Sequence, residues 1–453
     1  MATPFDMSYF LALGFIGVCI YFGVLLRYRI RFFQKFLIPS CMVGGIAGMI
    51  LMNLKLIPLE VELFQAIAFH FFIISFITIG LTPQLKVPGQ KGRGKQIARG
   101  AIWMGLMNGG SMASQALIGC LLVLFFGVVG INFPLQFGLF LPLGYTQGPG
   151  QALAIGKVWE AAGLTNAITM GLAVAAIGFL FAFFVGIPMI HWGIRHGFTA
   201  MGRVELPNFF KRGTYRTDEQ NEPLGMQTTH SANVDSLAFQ VCAVGIVYLL
   251  TYGVFALMNK VFGGLDPGMW GFFFFWALLI GILVKVVMGK TGSGHLLDRG
   301  SQIRLTGLSV DILLTATLIS VKTGVVWEYI VPLLILCLVG GIWTTFYVVY
   351  FGRRSGEMGF ERMIVQYGVN TGTISSGLLL LRVVDPEFKT TAALETGLYS
   401  LAAAPFIVGV MVVIVFGQKW GLNIYHQIGI YLGLFILVLI LLKVLGFWKK
   451  KVW

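Results

Sequence analysis

Two short polar stretches interrupt long apolar segments of the sequence and contain most of its candidate chemistry. The first, from Gly144 to Gln151, reads Gly-Tyr-Thr-Gln-Gly-Pro-Gly-Gln, and the second, from Gly368 to Thr373, reads Gly-Val-Asn-Thr-Gly-Thr. Both begin with Gly-x-x-x-Gly spacing. A backbone N–H or C=O group without a partner is costly in hydrocarbon, so such a break is tolerated only beside protein or a water-filled cavity. Corresponding breaks in two halves of a membrane protein indicate the binding site of a transporter.

The residues of these breaks suit a small anionic substrate. A helix that begins inside the membrane presents unpaired N–H groups and the positive end of its dipole, and both favour an anion. The alternative is that glycine and small polar residues only allow helices to pack closely. We predict that the substrate-binding residues are Thr146, Gln147, Gly148, Gly150, Gln151, Asn370, Thr371, Thr373 and Ser375.

Asp311 is the one acid that the sequence places well inside a plain apolar segment, and it needs a compensating partner. An acid at that depth costs about 2.5–3.5 kcal/mol on insertion scales. Because hard cations favour oxygen ligands, we predict that it helps to hold sodium as the coupling ion, with no other cofactor. A protonated acid, or one that reaches the membrane surface, is the alternative. The predicted sodium ligands are Asp311, Thr315, Val369 and Asn370.

Other ionisable or polar residues have weaker predicted roles. His70 is expected to be a packing histidine with a satisfied partner, and Gln115 either lines the site or hydrogen-bonds a neighbouring helix. Six charged residues near the ends of the broken segments are expected to reach the membrane surface with their charged ends. They are Lys157, Glu160, Arg382, Asp385, Glu387 and Lys389.

The composition is that of a helical protein with many membrane spans. Of the 453 residues, 57% are hydrophobic and only 11% are charged, and the mean hydropathy is +0.85. The net charge of +14 lies largely in short loops between apolar segments, so it indicates orientation in a lipid bilayer and not nucleic-acid binding. The five cysteines lie in apolar segments without metal-ligand spacing, which predicts neither a disulfide framework nor a metal site.

The apolar segments and their flanking charges predict an all-α polytopic membrane protein. We expect two inverted repeats, each with five transmembrane helices and one re-entrant hairpin, and one extra C-terminal transmembrane helix. The hairpins are re-entrant in this scheme because full crossings would place basic loops outside. The N-terminus is then outside, residues near Arg31 are cytoplasmic, Glu60 and Lys322 are outside, and the C-terminus is cytoplasmic. The predicted regions are a first repeat at 1–190 with its re-entrant segment at 133–163, a cytoplasmic linker at 191–236, a second repeat at 237–416 with its re-entrant segment at 363–388, and a final helix within 417–453. The predicted spans are 8–26, 36–54, 63–85, 101–127, 166–190, 237–258, 270–288, 305–321, 328–350, 391–416 and 425–446.

Five short motifs in this order resemble the bacterial sodium/glutamate symporter family, and the chain looks like a divergent member of it. The resemblance covers most of residues 8–416 and is carried mainly by the order and spacing of the motifs. They are Ile38-Pro39 with Gly44-Gly45, Thr78-Ile79-Gly80-Leu81, Gly148-Pro149-Gly150-Gln151-Ala152, Gly163-Leu164-Thr165-Asn166-Ala167 and the weaker loop Gly368–Gly372.

The resemblance implies sodium-coupled uptake of glutamate, a homodimer in the bacterial cytoplasmic (inner) membrane, and an elevator motion that carries the hairpins past a scaffold. The chain departs from the family pattern at Gln147 and Pro149, where a loop richer in glycine with a histidine is usual, and at Asp311, where a neutral polar residue is expected. Its second loop is also poorer in glycine, and its last span has no counterpart. A related anionic amino acid or carboxylate, or a proton-coupled carrier, therefore stays an alternative.

Two other classes of function fit the sequence less well. An intramembrane enzyme would need a motif such as HExxH or GxSxG, or paired acids, and the sequence has neither motif. A channel commonly builds its filter around an axis, whereas two opposed breaks in one chain suit alternating access. We therefore expect a transporter and not an enzyme.

Overall fold

The computed structural model describes residues 6–83, 94–200, 202, 208–216, 219, 225–356, 358–386, 389–448 and 450. Within these ranges the regular structure is helical, without a strand. The predicted all-helical fold is therefore confirmed. Glu387 lies outside the described residues.

Ten α-helices lie in the described part of the first half of the chain. Most of them begin or end at glycine, proline or small polar residues, which interrupt the helical backbone. In chain order they are α1 (Ser8–Arg29), α2 (Arg31–Lys35), α3 (Ser40–Asn53), α4 (Val61–Leu81), α5 (Gly94–Val128), α6 (Leu135–Gly144), α7 (Pro149–Ala161), α8 (Ala167–Phe184), α9 (Gly186–Arg195) and α10 (Asn208–Arg212).

The described second half has nine α-helices and two short 3-10 helices, Pro267–Phe272 and Ser293–Leu296. Several of its helices start at a side chain that accepts hydrogen bonds from the first turn, as Asp235 does at α11 and Asn423 at α19. In chain order the α-helices are α11 (Ser236–Val261), α12 (Phe273–Lys290), α13 (Arg299–Ile319), α14 (Thr323–Glu328), α15 (Ile330–Gly352), α16 (Gly359–Asn370), α17 (Ile374–Val384), α18 (Ala392–Phe416) and α19 (Ile424–Val444).

Ten helical segments of the described chain are long and apolar enough to cross a membrane. They match the predicted spans except the one at 36–54, where α3 has only 14 residues. At 1.5 Å per residue α3 is about 21 Å long, which is less than the ~30 Å hydrocarbon core. Leu37 and Lys55 have positive φ angles on either side of α3 and stop the helix there. Four membrane-length helices, not the five predicted, therefore lie in the described first half.

The described residues form two compact units, and each unit draws on both halves of the chain. The first comprises Met1–Leu26, Ser40–Pro88 and Gly213–Ser320. Inside it, α4 packs against α12 and α13, and α3 packs against α13. A Cβ added at Gly44 of α3 would run into the backbone of Cys19 on α1. Small residues thus allow two apolar helices to approach closely, as expected of packing in lipid.

The second unit comprises Arg27–Pro39, Gly89–Arg212 and Val321–Trp453. Its described part is built around α5, a helix of 35 residues. This helix packs against α6, α15, α16, α18 and α19. Both broken segments of the sequence belong to this unit, as the helix pairs α6–α7 and α16–α17.

Candidate functional site

The first broken segment folds as a helical hairpin, defined as hairpin 1 (135–161). Its turn is fixed by Gly148, whose φ of 83° and ψ of −179° are a backbone conformation open almost only to glycine. Pro149 follows at the first position of α7, where its missing N–H costs nothing. On the other side of the turn, the buried Tyr145 hydroxyl donates to the Cys337 carbonyl of α15 at 2.8 Å. The turn is thus anchored to a neighbouring helix.

The second broken segment is also a helical hairpin, defined as hairpin 2 (359–384). Thr373 begins α17 with a capping box, in which its hydroxyl accepts from the Ser376 N–H and the Ser376 hydroxyl accepts from the Thr373 N–H. The Ser376 hydroxyl also lies 2.8 Å from the Gly368 carbonyl of α16. A Cβ added at Gly368 would lie 2.7 Å from the Gly377 Cα. The two limbs therefore touch backbone to backbone.

The tips of the two hairpins meet. A Cβ added at Gly148 would lie 2.9 Å from the Gly372 carbonyl oxygen and 2.9 Å from the Thr373 Cγ2. Glycine at position 148 therefore serves both its left-handed backbone and this close contact. The expectation that the two broken segments meet at their tips agrees with this geometry.

Gln115 of α5 links both tips. Its Oε1 accepts a hydrogen bond from the Thr146 hydroxyl at 2.7 Å. Its Nε2 lies 3.1 Å from the Asn370 carbonyl and 2.9 Å from the Thr344 hydroxyl of α15. Gln115 itself is 0% exposed. The alternative that Gln115 hydrogen-bonds neighbouring helices is confirmed, and these bonds connect it to both hairpins.

A second group of buried amides surrounds the Asn370 side chain. Its Oδ1 accepts from Asn108 Nδ2 at 3.0 Å and from Gln366 Nε2 at 3.3 Å. All three residues are no more than 1% exposed. No described residue hydrogen-bonds to Asn108 Oδ1, Gln366 Oε1 or Asn370 Nδ2. Two buried carbonyl oxygens without a hydrogen-bond donor are unusual, since such groups nearly always have a partner.

The remaining predicted substrate residues lie in or beside the two turns. The half-buried Gln147 places Nε2 3.6 Å from Met112 Sδ, and the buried Gln151 faces Met411 Sδ at 4.0 Å. Gly150 is buried in the first turn of α7, and Ser375 is half-buried in the first turn of α17. The Thr371 hydroxyl donates to the Tyr367 carbonyl at 2.7 Å, which uses its hydrogen within α16.

The predicted sodium ligands are divided between the two units. Val369 and Asn370 belong to the second unit, whereas Asp311 and Thr315 belong to the first. Asp311 is exposed on α13, with the Cys41 thiol of α3 beside its carboxylate. The Thr315 hydroxyl lies 2.9 Å from the Asp311 carbonyl and 3.1 Å from the Cys41 carbonyl. The described chain has no group of three or more His, Cys, Asp or Glu side chains that suits a metal ion.

Several buried acids were not predicted. Glu395, in the first turn of α18, is 0% exposed and pairs with Arg362. Asp385 does not reach the membrane surface as predicted, since it is buried and accepts from the Lys389 and Thr390 N–H groups. Both acids lie near the ends of apolar segments, where a surface position is the default reading.

Several secondary expectations agree with the structure. His70 has a hydrogen-bond partner, the Tyr248 hydroxyl 2.8 Å from its Nδ1, although its side chain is exposed. Arg382, Lys389 and Lys157 are exposed, and Glu160 is half-buried. Asn108 and Gln366 were not predicted as site residues. The helical spacing of Asn108, Ser111 and Gln115 places them on one side of α5, and this spacing was a usable signal.

A family model described as sodium/glutamate symporter matches residues 5–358 of the chain. Comparison with curated proteins gives no match. The matched range includes α5, hairpin 1 and α15 and ends directly before α16, so the place of hairpin 2 in the site rests on its contacts with the matched part. This family comprises transporters, and the match covers well over half of the chain. The protein belongs to the sodium/glutamate symporter family.

Proposed function

We propose that this protein couples the uptake of glutamate, or of a related anionic amino acid or carboxylate, to sodium entry by elevator-type alternating access. The observation that carries the proposal is the meeting of the two hairpin tips at Gly148 and Gly372, with Gln115 of α5 hydrogen-bonded to both hairpins. A buried site bounded by two helix starts suits a small, negatively charged substrate. The unit that contains both hairpins would then carry the substrate.

The start of α7 is the proposed binding point for a substrate carboxylate. Its N-cap residue, Gly148, has no side chain to cap the helix. The N–H groups of Gly150 and Gln151 lie in the first turn, where an α-helix supplies no acceptor. By contrast, the start of α17 is capped by Thr373 and Ser376. The other proposed substrate contacts are Thr146, Gln147, Asn370, Thr371, Thr373 and Ser375.

The amide group around Asn370 is a second candidate for the sodium ligands, beside the predicted set that includes Asp311. Asn108 Oδ1 and Gln366 Oε1 are neutral oxygens, buried in the protein and without a described donor. Sodium, as a hard cation, favours oxygen ligands, and its charge would be stabilised by the two carbonyl dipoles. Asn370 belongs to both candidate ligand sets, the buried amide group and the set predicted from the sequence.

The proposed setting in the membrane follows the sequence prediction. Hairpins 1 and 2 are re-entrant, they belong to two inverted repeats, and the protein is a homodimer in the bacterial cytoplasmic membrane. The N-terminus is outside and the C-terminus is cytoplasmic. The extra helix α19 packs along α5, which supports a structural role for it in the hairpin-bearing unit.

Transport by the purified protein in liposomes tests this function. An inward sodium gradient is imposed, and uptake is measured for a panel of labelled amino acids and carboxylic acids. Saturable uptake of glutamate that reverses with the sodium gradient is the expected result. Uptake driven by a proton gradient alone would support the proton-coupled alternative, and flux that does not saturate would indicate a channel.

Gln115→Leu provides the matching test of the site. The change removes the hydrogen bonds from Gln115 to both hairpins, and leaving buried partners unsatisfied costs about 1–3 kcal/mol each. We expect at least a tenfold loss of substrate affinity in the same liposomes. The control is Gln136→Leu, because Gln136 is a glutamine whose single described bond, to Gln418 Oε1 at 2.9 Å, is exposed. Normal uptake by Gln115→Leu would show that substrate binding does not need the hydrogen bonds of Gln115.

A further inference from the structure

A buried group of charged side chains lies at the base of hairpin 2, at the end opposite its tip. Arg362 in the first turn of α16 holds Glu395 of α18 through two hydrogen bonds, with Nε 2.7 Å from Oε2 and Nη2 2.6 Å from Oε1. The Thr391 hydroxyl donates to Glu395 Oε1 at 2.6 Å. Gly100 of α5 leaves the space for this carboxylate, since a Cβ there would collide with it. Arg362 also donates from Nη1 to the Ser355 carbonyl at 3.0 Å, so each of its nitrogens has a partner.

Two further acids complete the group, and they differ in how they are satisfied. Asp385, directly after α17, accepts from the Lys389 N–H at 2.8 Å and from the Thr390 N–H at 2.8 Å and hydroxyl at 2.6 Å. The Glu361 carboxylate of α16 accepts the Ala200 N–H at Oε1 at 2.7 Å and also interacts with its own backbone N–H. Its residue is 0% exposed, yet no described residue bonds to its Oε2.

The charges close to Glu361 would not balance a negative charge on its own side chain. Asp385 and Arg362 interact with it electrostatically, with opposite signs, and Arg362 is already paired with Glu395. The group of Glu361, Arg362, Asp385 and Glu395 therefore contains three acids and one base.

Charged residues on the other elements packed against α16 are engaged elsewhere or exposed. Arg354, after α15, lies over the Tyr350 ring at 3.8 Å, and Arg99 of α5 lies over Phe447 at 5.0 Å. After α9, the His196 ring stacks on Phe198, whose ring centroid is 6.5 Å from that of Phe360. The other basic residues on these elements are exposed, namely Lys95, His191, Arg195 and Arg382, or half-buried, as is Arg353, and α8 carries no charged residue.

A buried carboxylate with one unpaired oxygen is costly when it is ionised, and desolvation together with a neighbouring acid favours its neutral form. We propose that Glu361 is a proton-binding site, in which a proton from bulk water occupies Oε2 and neutralises the third acid of this buried group. The bonded Oε1 continues to accept from Ala200, so the neutral acid keeps the turn after α9 attached to the base of hairpin 2. Loss of the proton places a buried negative charge beside Asp385, and this burial and repulsion destabilise the base of hairpin 2.

The proposal does not depend on the transported substrate, because the site lies at the hairpin base and not at the tips. It makes the stability of hairpin 2 dependent on pH. The sign follows from linkage: the native state binds the proton more readily than the unfolded chain, so unfolding releases a proton. The stabilisation is present at low pH and is lost as the pH rises through the titration of Glu361.

Thermal unfolding of the purified full-length protein, measured from about pH 5 to about pH 9, tests the proposal. In the wild type, the Tm is expected to fall with rising pH in this range, with release of about one proton per molecule on unfolding. Glu361→Gln mimics the protonated acid and is expected to remove that dependence. The matched control is Glu160→Gln, since Glu160 also accepts one backbone N–H, from Ile168 at 3.0 Å, but is half-exposed. It should keep the wild-type pH dependence.

Infrared spectroscopy provides a readout that does not depend on how the variant folds. As the pH is raised, the wild type is expected to lose a carboxylic-acid C=O band that Glu361→Gln lacks throughout. If Glu361→Gln cannot be purified, Asp385→Asn serves instead, because removal of the neighbouring charge should shift the loss of this band to lower pH. Equal pH dependence of Tm in wild type and Glu361→Gln, or the absence of a titrating carboxylic-acid band, would overturn the proposal.

Discussion

At the residue scale, two sets of oxygens compete as sodium ligands, and one pair of substitutions separates them. Gln366→Leu removes an unpaired buried oxygen next to Asn370, whereas Asp311→Asn removes the charge of the acid on α13. Losing a hydrogen-bond-like contact to a charged group costs about 1.5–3 kcal/mol. The substitution that removes a true sodium ligand should therefore raise the sodium concentration needed for uptake about tenfold or more. We expect this for Gln366→Leu, measured as sodium activation of uptake at saturating substrate.

A buried glutamine of the other unit provides the control for this prediction. Gln302 is 0% exposed and donates to Gln240 Oε1 at 3.0 Å, as Gln366 donates to Asn370 Oδ1. Gln302→Leu should therefore reproduce the loss of an amide without a change in sodium activation. If Asp311→Asn raises the sodium requirement and Gln366→Leu does not, the acid is the ligand and the amides only stabilise the packing.

The sequence predicted some residues of the site and missed others for a physical reason. Thr146 and Asn370 were predictable because they interrupt apolar segments, and the structure joins them through Gln115. Glu361 and Glu395 were missed because single charges near the ends of apolar segments usually reach water. Their burial depends on tertiary pairing, such as that of Arg362 with Glu395, 33 residues away along the chain. Local spacing does not encode such a contact.

At the element scale, we predict that the turn of hairpin 1 tolerates no side chain at position 148. Gly148→Ala introduces a Cβ at a positive φ and also forces it within 2.9 Å of the Gly372 carbonyl oxygen. We expect strong loss of uptake with the protein still folded, because the two tips can no longer meet. Substrate affinity and thermal stability are the two measurements.

Gly163→Ala is the matched control for the hairpin turn. Gly163, in the loop after α7, has a similar positive φ of 97°, but an added Cβ there would meet nothing within 4 Å. Both variants place a Cβ at a positive φ, which costs about 1–3 kcal/mol, and only one has the collision. Equal effects of the two substitutions would show that strain, and not the contact between the tips, explains the result.

Helix boundaries were the best-predicted feature of the elements, because glycine and proline mark them. Hairpin 1 was expected within 133–163 and runs from Leu135 to Ala161, and its break lies at the predicted residues. The span at 36–54 was overestimated because Leu37 and Lys55 leave the helical conformation, although neither is a residue that normally does so. Hydropathy alone does not reveal such a stop.

At the scale of the whole molecule, the predicted orientation is open to direct chemical labelling. Single cysteines at Glu60 or Lys322 should react with an impermeant thiol reagent added to intact cells, and one at Arg31 should react only after the membrane is opened. All three positions are exposed. The five native cysteines are replaced first, above all Cys242, which is exposed. Labelling of position 31 in intact cells would contradict the proposed orientation of the first helix.

The central position of α5 has a consequence for how the protein is inserted into the membrane during its synthesis. This helix carries Asn108, Ser111 and Gln115, and it leaves the ribosome long before α15 and α16, which supply Thr344 and Asn370 as their partners. A nascent α5 therefore faces its surroundings with an unsatisfied polar side. Its release into lipid is expected to be delayed until the second half of the chain is synthesised, so that ribosome-stalled chains ending before α15 should remain in contact with the insertion machinery.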